Sequence, residues 1–165
     1  MSDSPRRAFV SRRSDGEHLW SLGGHFTTKL SGEQSDGGFA LVEAIAFRST
    51  EPPLHIHTRE DEAWYVLDGQ MTLYVGDESF VVPSGTFAFA PRGQAHAFTV
   101  DIEPTRVLVF ATPAGFEHFA QELGTPATGE TPPADLSVPS PDELGPIGER
   151  YGIQVVGPPV RLRNG

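Results

Sequence analysis

Two segments of the chain determine its fold: PPLHIHTREDEAWYVLDG at residues 52–69 and GTFAFAPRGQAH at residues 85–96. Successive side chains of a β-strand point to opposite faces, so His55 and His57 project from the same face, as two ligands of one ion must. His96 follows in the second segment, in a strand beyond a turn. The spacing therefore predicts three imidazoles around one point.

A carboxylate completes this set, and three adjacent residues compete for the role. Glu62 heads the apolar run 63–67, so it lies at the start of a strand, where its direction is fixed. Glu60 and Asp61 are interpreted as a solvated turn. Three imidazoles and one carboxylate suit a divalent first-row transition metal. The predicted metal ligands are His55, His57, Glu62 and His96.

The same residues resemble the two signature motifs of the cupin superfamily. The first motif is matched by His55, His57, Glu62 and Gly69, and the second by Gly85, Pro91, Gly93 and His96. Ser49 stands where the first motif has its opening Gly, and Val100 stands where the second has its final Asn. The resemblance covers roughly residues 20–112. It implies a small jelly-roll barrel around one metal ion.

Composition agrees with a single all-β domain. The chain has 165 residues, 38% of them hydrophobic, with 18 Gly, 15 Pro and short apolar runs; such a chain forms one core. A net charge of −10 disfavours nucleic acid or an anionic membrane as partner. Cysteine is absent, so a metal site depends on His and carboxylate. No apolar run has signal-peptide or membrane-span length, which predicts a cytoplasmic protein.

The predicted fold is a small double-stranded β-helix, the cupin or jelly-roll barrel, with short C-terminal helices. We expect a flexible arm at 1–17, the barrel at 18–112, a helix packed on the barrel at 113–124, and a Pro-rich linker with a docking tail at 125–165. His118 on that first helix is interpreted as solvated. The resemblance further suggests a homodimer.

A strand at 39–47 alternates large and small side chains. Its large residues are predicted to face the core or a cavity; they are Phe39, Leu41, Glu43, Ile45 and Phe47. Glu43 there is either a functional carboxylate or a group near the water at the barrel mouth. Arg92 could orient an anion or be solvated. The predicted substrate pocket comprises Glu43, Phe47, Trp64, Arg92 and Phe98, with Val66 also inside, and it favours a bulky apolar or aromatic ligand unless these side chains are only core.

Four protein ligands leave up to two positions open on an octahedral metal, which is typical of a working site. The segments look most like single-domain bacterial cupins of the quercetin dioxygenase-like group. That resemblance implies that Glu62 is both ligand and general base, and that the chain is an oxygenase using dioxygen on an aromatic or enolic small molecule. A redox-neutral cyclase, isomerase or lyase and a non-catalytic binding module remain alternatives. The metal could be iron, manganese, nickel, copper or zinc.

Overall fold

The computed structural model describes residues 7–48 and 50–160. Three parts of the chain lie outside this range: residues 1–6 of the predicted arm, position 49 of the first motif, and residues 161–165 of the predicted tail. The strands are β1 (His18–Ser21), β2 (Gly24–Leu30), β3 (Ala40–Ala46), β4 (Pro53–His57), β5 (Asp61–Val75), β6 (Glu78–Pro83), β7 (Phe87–Ala90), β8 (His96–Thr112), β9 (Thr125–Pro126) and β10 (Ile153–Pro159). The helices are α1 (Gly32–Ser35), α2 (Phe116–Glu122) and α3 (Pro141–Arg150). None of these helices is long and apolar enough to cross a membrane.

All pairings are antiparallel, and two long strands close the barrel. β5 and β8 pair along nearly their whole length, from Asp61 opposite Thr112 to Val75 opposite His96. Their register shifts between residues 66 and 71, at a bend where Gly69 has a φ of +85°. A Cβ at Gly69 would lie 2.8 Å from the carbonyl oxygen of Pro104, so only glycine fits this bend. The predicted all-β jelly-roll fold is confirmed.

The core lies between the two walls of the barrel. Its buried side chains include Val42, Ala44, Trp64, Val66, Met71, Leu73, Val107 and Val109. On β3 the inward residues are therefore mostly the small ones, Ala40, Val42 and Ala44. The prediction that the large residues face the core or a cavity is wrong for Phe39, Leu41 and Glu43, whereas Ile45 and Phe47 are buried. Beside β3 in the same sheet, Val107, Val109 and Ala111 of β8 face the same interior, so small and β-branched side chains line this part of the wall.

The C-terminal segment forms part of the barrel wall. Ser140 caps α3 by accepting from the backbone N–H of Glu143. β10 then pairs with β4, with Ile153 opposite His57 and Val155 opposite His55. Leu144 of α3 and Ile153 of β10 are buried in the core. The strand that carries two predicted ligands thus depends on residues near the end of the chain.

Part of the N-terminal arm lies on the barrel. The Lys29 ammonium donates to the backbone carbonyls of Arg12, Arg13 and Asp15 at 2.9–3.1 Å. These bonds hold residues 12–15 against β2, while Phe9 and Val10 remain exposed.

Candidate metal centre

Three strands bring the four predicted ligands together. His55 and His57 lie on β4, Glu62 near the start of β5 and His96 at the start of β8. One ligand atom from each lies within 4.8 Å of the others. His57, Glu62 and His96 are buried and His55 is half-buried. His55 and His96 are direct neighbours across the β4–β8 pairing, which is why residues 41 positions apart share one site.

Backbone carbonyls orient two of the imidazoles. Nδ1 of His55 lies 2.8 Å from the carbonyl oxygen of Pro53, and Nδ1 of His96 lies 3.0 Å from that of Gln94. Because a carbonyl oxygen only accepts, each Nδ1 carries the hydrogen and each Nε2 keeps its lone pair. Oε2 of Glu62 lies 3.0 Å from Nε2 of His96 and 3.3 Å from Nε2 of His57. The imidazole nitrogens and the Glu62 oxygen thus surround one point, and this arrangement of donor atoms fits a divalent transition metal.

The pKa shifts of the predicted ligands favour the binding of a cation. Burial, together with the nearby His96 and His57, lowers the pKa of His55 to about 3. Burial opposes ionisation of Glu62, but the neighbouring His57 and His96 outweigh it and lower its pKa to about 2. Burial also works against a charged His57, whose pKa is nevertheless raised by Glu62 and Glu60. The site therefore offers an ionised carboxylate to a metal at neutral pH.

The two carboxylates assigned to a solvated turn have different environments. Asp61 lies near the surface, where Arg92 donates to it at 2.8 Å and lowers its pKa to about 2. Glu60 is only 2% exposed, so for Glu60 the solvated-turn prediction is wrong. Its Oε2 lies 3.4 Å from Nδ1 of His57. Strand alternation could not have found it, because Glu60 lies in the turn between β4 and β5.

An apolar cavity of about 90 Å³ opens above the ligands. His55, His57 and Glu62 are the only polar side chains among its lining residues. Trp64 and Phe98 line it, as do apolar side chains that the pocket prediction did not include. These are Leu22, Phe26, Pro52, Pro53, Phe116, Phe119, Val138, Leu144, Ile153 and Val155. The cavity thus has one charged end and apolar walls.

Three residues of the predicted pocket lie outside this cavity. Glu43 is on the outer face of β3, paired with Arg106 and 3.7 Å from the Lys29 ammonium. Phe47 packs on Trp20, with ring centroids 6.2 Å apart. Arg92 is paired with Asp61. The prediction put Glu43 in the pocket because it assumed the wrong inward face of β3, and it put Phe47 there although this ring packs on Trp20. It put Arg92 there because it did not foresee the ion pair with Asp61.

Comparisons with known proteins agree with this geometry. Residues 43–111 match the family model described as Cupin domain. Quercetin 2,3-dioxygenase of Bacillus subtilis (strain 168) is 27% identical over 150 residues, which are 91% of this chain and 44% of that protein. Quercetin 2,3-dioxygenase of Aspergillus japonicus is 32% identical over 109 residues, 62% of this chain and 31% of that protein. The chain spans less than half the length of the curated relatives it matches.

Solved structures show the same fold. KdgF from Halomonas sp. has a TM-score of 0.60 at 15% identity, covering 68% of this chain and 99% of that one. The polyketide cyclase RemF from Streptomyces resistomycificus has a TM-score of 0.54 at 24% identity, covering 65% and 80%. The nucleoside dehydratase Pac13 has a TM-score of 0.55 at 15% identity, covering 75% and 96%. Residues 43–111 of the chain thus form a cupin domain, and the chain is similar to quercetin 2,3-dioxygenases.

Proposed function

We propose that this chain is a mononuclear-metal oxygenase, of the dioxygenase type, that acts on an aromatic or enolic small molecule. The observation that carries the proposal is the position of His55, His57 and Glu62, which are the only polar side chains that line the cavity within residues 7–48 and 50–160. Charged and polar groups can therefore bind a ligand at only one end of this cavity, and the rest of the ligand meets apolar walls. An apolar molecule with one acidic oxygen meets that requirement.

A divalent transition metal held by His55, His57, Glu62 and His96 would supply Lewis acidity and, if iron, manganese, nickel or copper, one-electron redox chemistry. The side chains of the cavity would exclude water, orient the substrate and accept its proton. Trp64, Phe98 and Phe116 exclude water from the substrate body and orient its plane. The Glu62 carboxylate, ionised in the free site, accepts the proton of an enol or phenol hydroxyl as the general base.

The relatives support oxygenase chemistry. Both curated matches are quercetin 2,3-dioxygenases, and the matched region contains all four ligands. The solved structures named above share the fold and do not distinguish reaction classes.

Oxygen consumption tests the proposal. We expect metal-loaded protein to consume dioxygen with quercetin or another flavonol or diketone, because such molecules combine an acidic hydroxyl with an apolar body. Glu62→Gln should lower the rate by at least about 10²-fold, since it removes both the proton acceptor and a metal ligand. An oxygen electrode with product analysis measures both. The matched control is Asp61→Asn, a neighbouring carboxylate outside the cavity, which should keep the rate within about twofold.

Two other outcomes would overturn the oxygenase assignment. Turnover of the same compounds without dioxygen would assign a redox-neutral cyclase, isomerase or lyase in which the metal acts as a Lewis acid only. Tight binding without turnover in either atmosphere would assign a binding module.

We further propose that a second copy of the chain covers an apolar face of the barrel. Two cross-strand rows run over the outer surface of β3, β8, β5 and β7. One row contains Leu41, Phe110, Ala63 and Phe89, and the next contains Glu43, Leu108, Tyr65 and Phe87. Phe87 is 60% exposed and Phe89 is 51% exposed. Glu43, the one charge in these rows, is already paired with Arg106.

The flat shape of this face and its lack of free charge favour a second copy. Its exposed apolar side chains amount to on the order of 400 Å², about half of what one partner contributes to a standard interface. A flat sheet face can pack against its own copy through a twofold axis. The two rows lack a free charge, so they do not select a partner of opposite charge.

Replacing Phe89 by Glu is expected to convert the dimer into a monomer, because each interface would then bury two unpaired carboxylates. Multi-angle light scattering after size exclusion should report two chains of 17.8 kDa for the wild type and one for the variant. Val81→Glu is the control, since Val81 is 63% exposed but lies on β6, outside the two rows. A monomeric wild type, or a dimeric Phe89→Glu variant, would contradict the proposal.

A further inference from the structure

We infer that Glu60 is a positioning residue for His57: its carboxylate accepts the Nδ1–H of that imidazole and directs Nε2, with increased electron density, toward the metal. The inference rests on the proposed metal centre. It adds to the four ligands a fifth residue whose role is to strengthen one of them.

The first argument is the burial of two polar atoms that face each other. Oε2 of Glu60 and Nδ1 of His57 are both buried, and neither has a hydrogen-bond partner among the described residues. They lie 3.4 Å apart. Removing a carboxylate from water costs several kcal/mol unless it is paired. The His57 ring is the donor that this carboxylate faces.

The second argument is the equivalence of the three imidazoles. Nδ1 of His55 and Nδ1 of His96 each face a backbone carbonyl oxygen. Glu60 occupies the corresponding position at His57, but its acceptor is charged. Ligating histidines commonly donate their other N–H to a carboxylate, which fixes the tautomer and raises the basicity of the ligand nitrogen. His57 is therefore the strongest donor of the three.

The third argument is that the surroundings hold Glu60 in place. The turn before it is tied to the C-terminal segment, because the backbone N–H and hydroxyl of Thr58 both donate to the carbonyl of Gly152, at 2.7 and 2.8 Å. Arg59 donates to the carbonyl of Arg150 at 2.9 Å. On the other side, a Cβ at Gly115 would lie 2.7 Å from Oε1 of Glu60.

These supports come from outside the matched cupin region, 43–111. Gly115 precedes α2, and Arg150 and Gly152 flank the junction of α3 and β10. The position of Glu60 is therefore built by the segments C-terminal to the barrel strands β1–β8. This chain uses them to strengthen one metal ligand.

Cobalt binding by the metal-stripped full-length protein tests the inference. We expect Glu60→Gln, which keeps an acceptor oxygen but loses the charge, to weaken Co²⁺ binding about 10-fold, and Glu60→Ala about 100-fold. A competing chelator measures the affinity, and the visible absorption of bound Co²⁺ reports the ligand field. Both variants should shift that absorption, because the donor strength of His57 changes.

Two controls separate positioning from general stability. Asp61→Asn removes the adjacent carboxylate, which is paired with Arg92 away from the ligands, and should leave affinity and spectrum unchanged. Val82→Ala destabilises the core on β6, distant in sequence from every ligand, and should leave the spectrum unchanged. If Glu60→Ala instead kept the wild-type spectrum and lost affinity only as much as Val82→Ala, Glu60 would be merely structural.

The failure of the inference is distinguishable from that of the metal centre. Co²⁺ affinity within twofold of wild type in both Glu60 variants, together with loss of binding in Glu62→Gln, would overturn the role of Glu60 and leave the centre standing. A wild type that binds no Co²⁺ would overturn both.

Discussion

Replacing His57 by Ala is expected to remove the metal, from about one equivalent per chain to less than about 0.1. His57 is the ligand with two carboxylate neighbours, Glu62 at 3.3 Å and Glu60 at 3.4 Å. Its loss leaves three ligands and also leaves Glu60 buried without its donor. We therefore expect an affinity loss greater than the 10–100-fold typical of residues that only orient a ligand. Elemental analysis of the purified protein by plasma mass spectrometry measures it.

His118→Ala is the matched control for this experiment. His118 lies on α2, partly exposed, with its Nε2 3.2 Å from Glu33, and with Glu33 and Glu117 it forms a second group of possible ligands, separate from the four of the proposed centre. The control should keep one equivalent of metal. A His57→Ala protein that also kept a full equivalent would mean that the metal binds elsewhere, and the proposed centre would be wrong.

The sequence could predict the fold and the grouping of His55, His57, Glu62 and His96 from local rules together with the cupin motifs. Strand alternation puts His55 and His57 on one face, and turn residues space the strands. His96 needed more than local rules, since its approach to His55 depends on the β4–β8 pairing. The cupin motifs supplied that long-range contact.

The face of β3 could not be predicted because both of its faces are apolar. Alternation indicates that two faces differ, but it does not show which one is inside. Here the interior takes Ala40, Val42 and Ala44, while Leu41 and Glu43 point outward. The placement of Glu43, and with it the pocket prediction, depended on this choice.

Glu60 and the cavity wall were missed for a different reason. A charged residue in a Thr-Arg-Glu-Asp turn is normally solvated, and only α2 and the C-terminal segment, which cover it, make it buried. Leu144 likewise lies in a stretch whose proline content predicts a linker, and Ile153 lies in the predicted docking tail, for which no docking site was predicted. Burial of such residues depends on contacts between segments far apart in the chain, such as Thr58 and Gly152, which no local pattern encodes.

The ligand-bearing strands of the barrel and the C-terminal segments have separate roles in the proposed function. The barrel supplies the four metal ligands, whereas α2, α3 and β10 supply much of the apolar wall around the substrate and hold Glu60 against His57. The matched cupin region thus sets the chemistry of the site, and the C-terminal segments set the shape of the cavity and the donor strength of His57. If this division is correct, the wall can be altered while the metal stays bound.

Leu144→Ala tests that division. Leu144 is 3% exposed, packs in the core and lines the cavity, so its truncation should lower the free energy of unfolding by about 2–5 kcal/mol. Urea unfolding measures this cost, and Val81→Ala, at a residue 63% exposed, should cost less than about 0.5 kcal/mol. Because Leu144 is not a ligand, the folded variant should keep one equivalent of metal and admit a bulkier substrate. A cost below about 1 kcal/mol would show instead that α3 is only loosely docked, whereas loss of metal at full folding would show that the wall and the ligands are one unit.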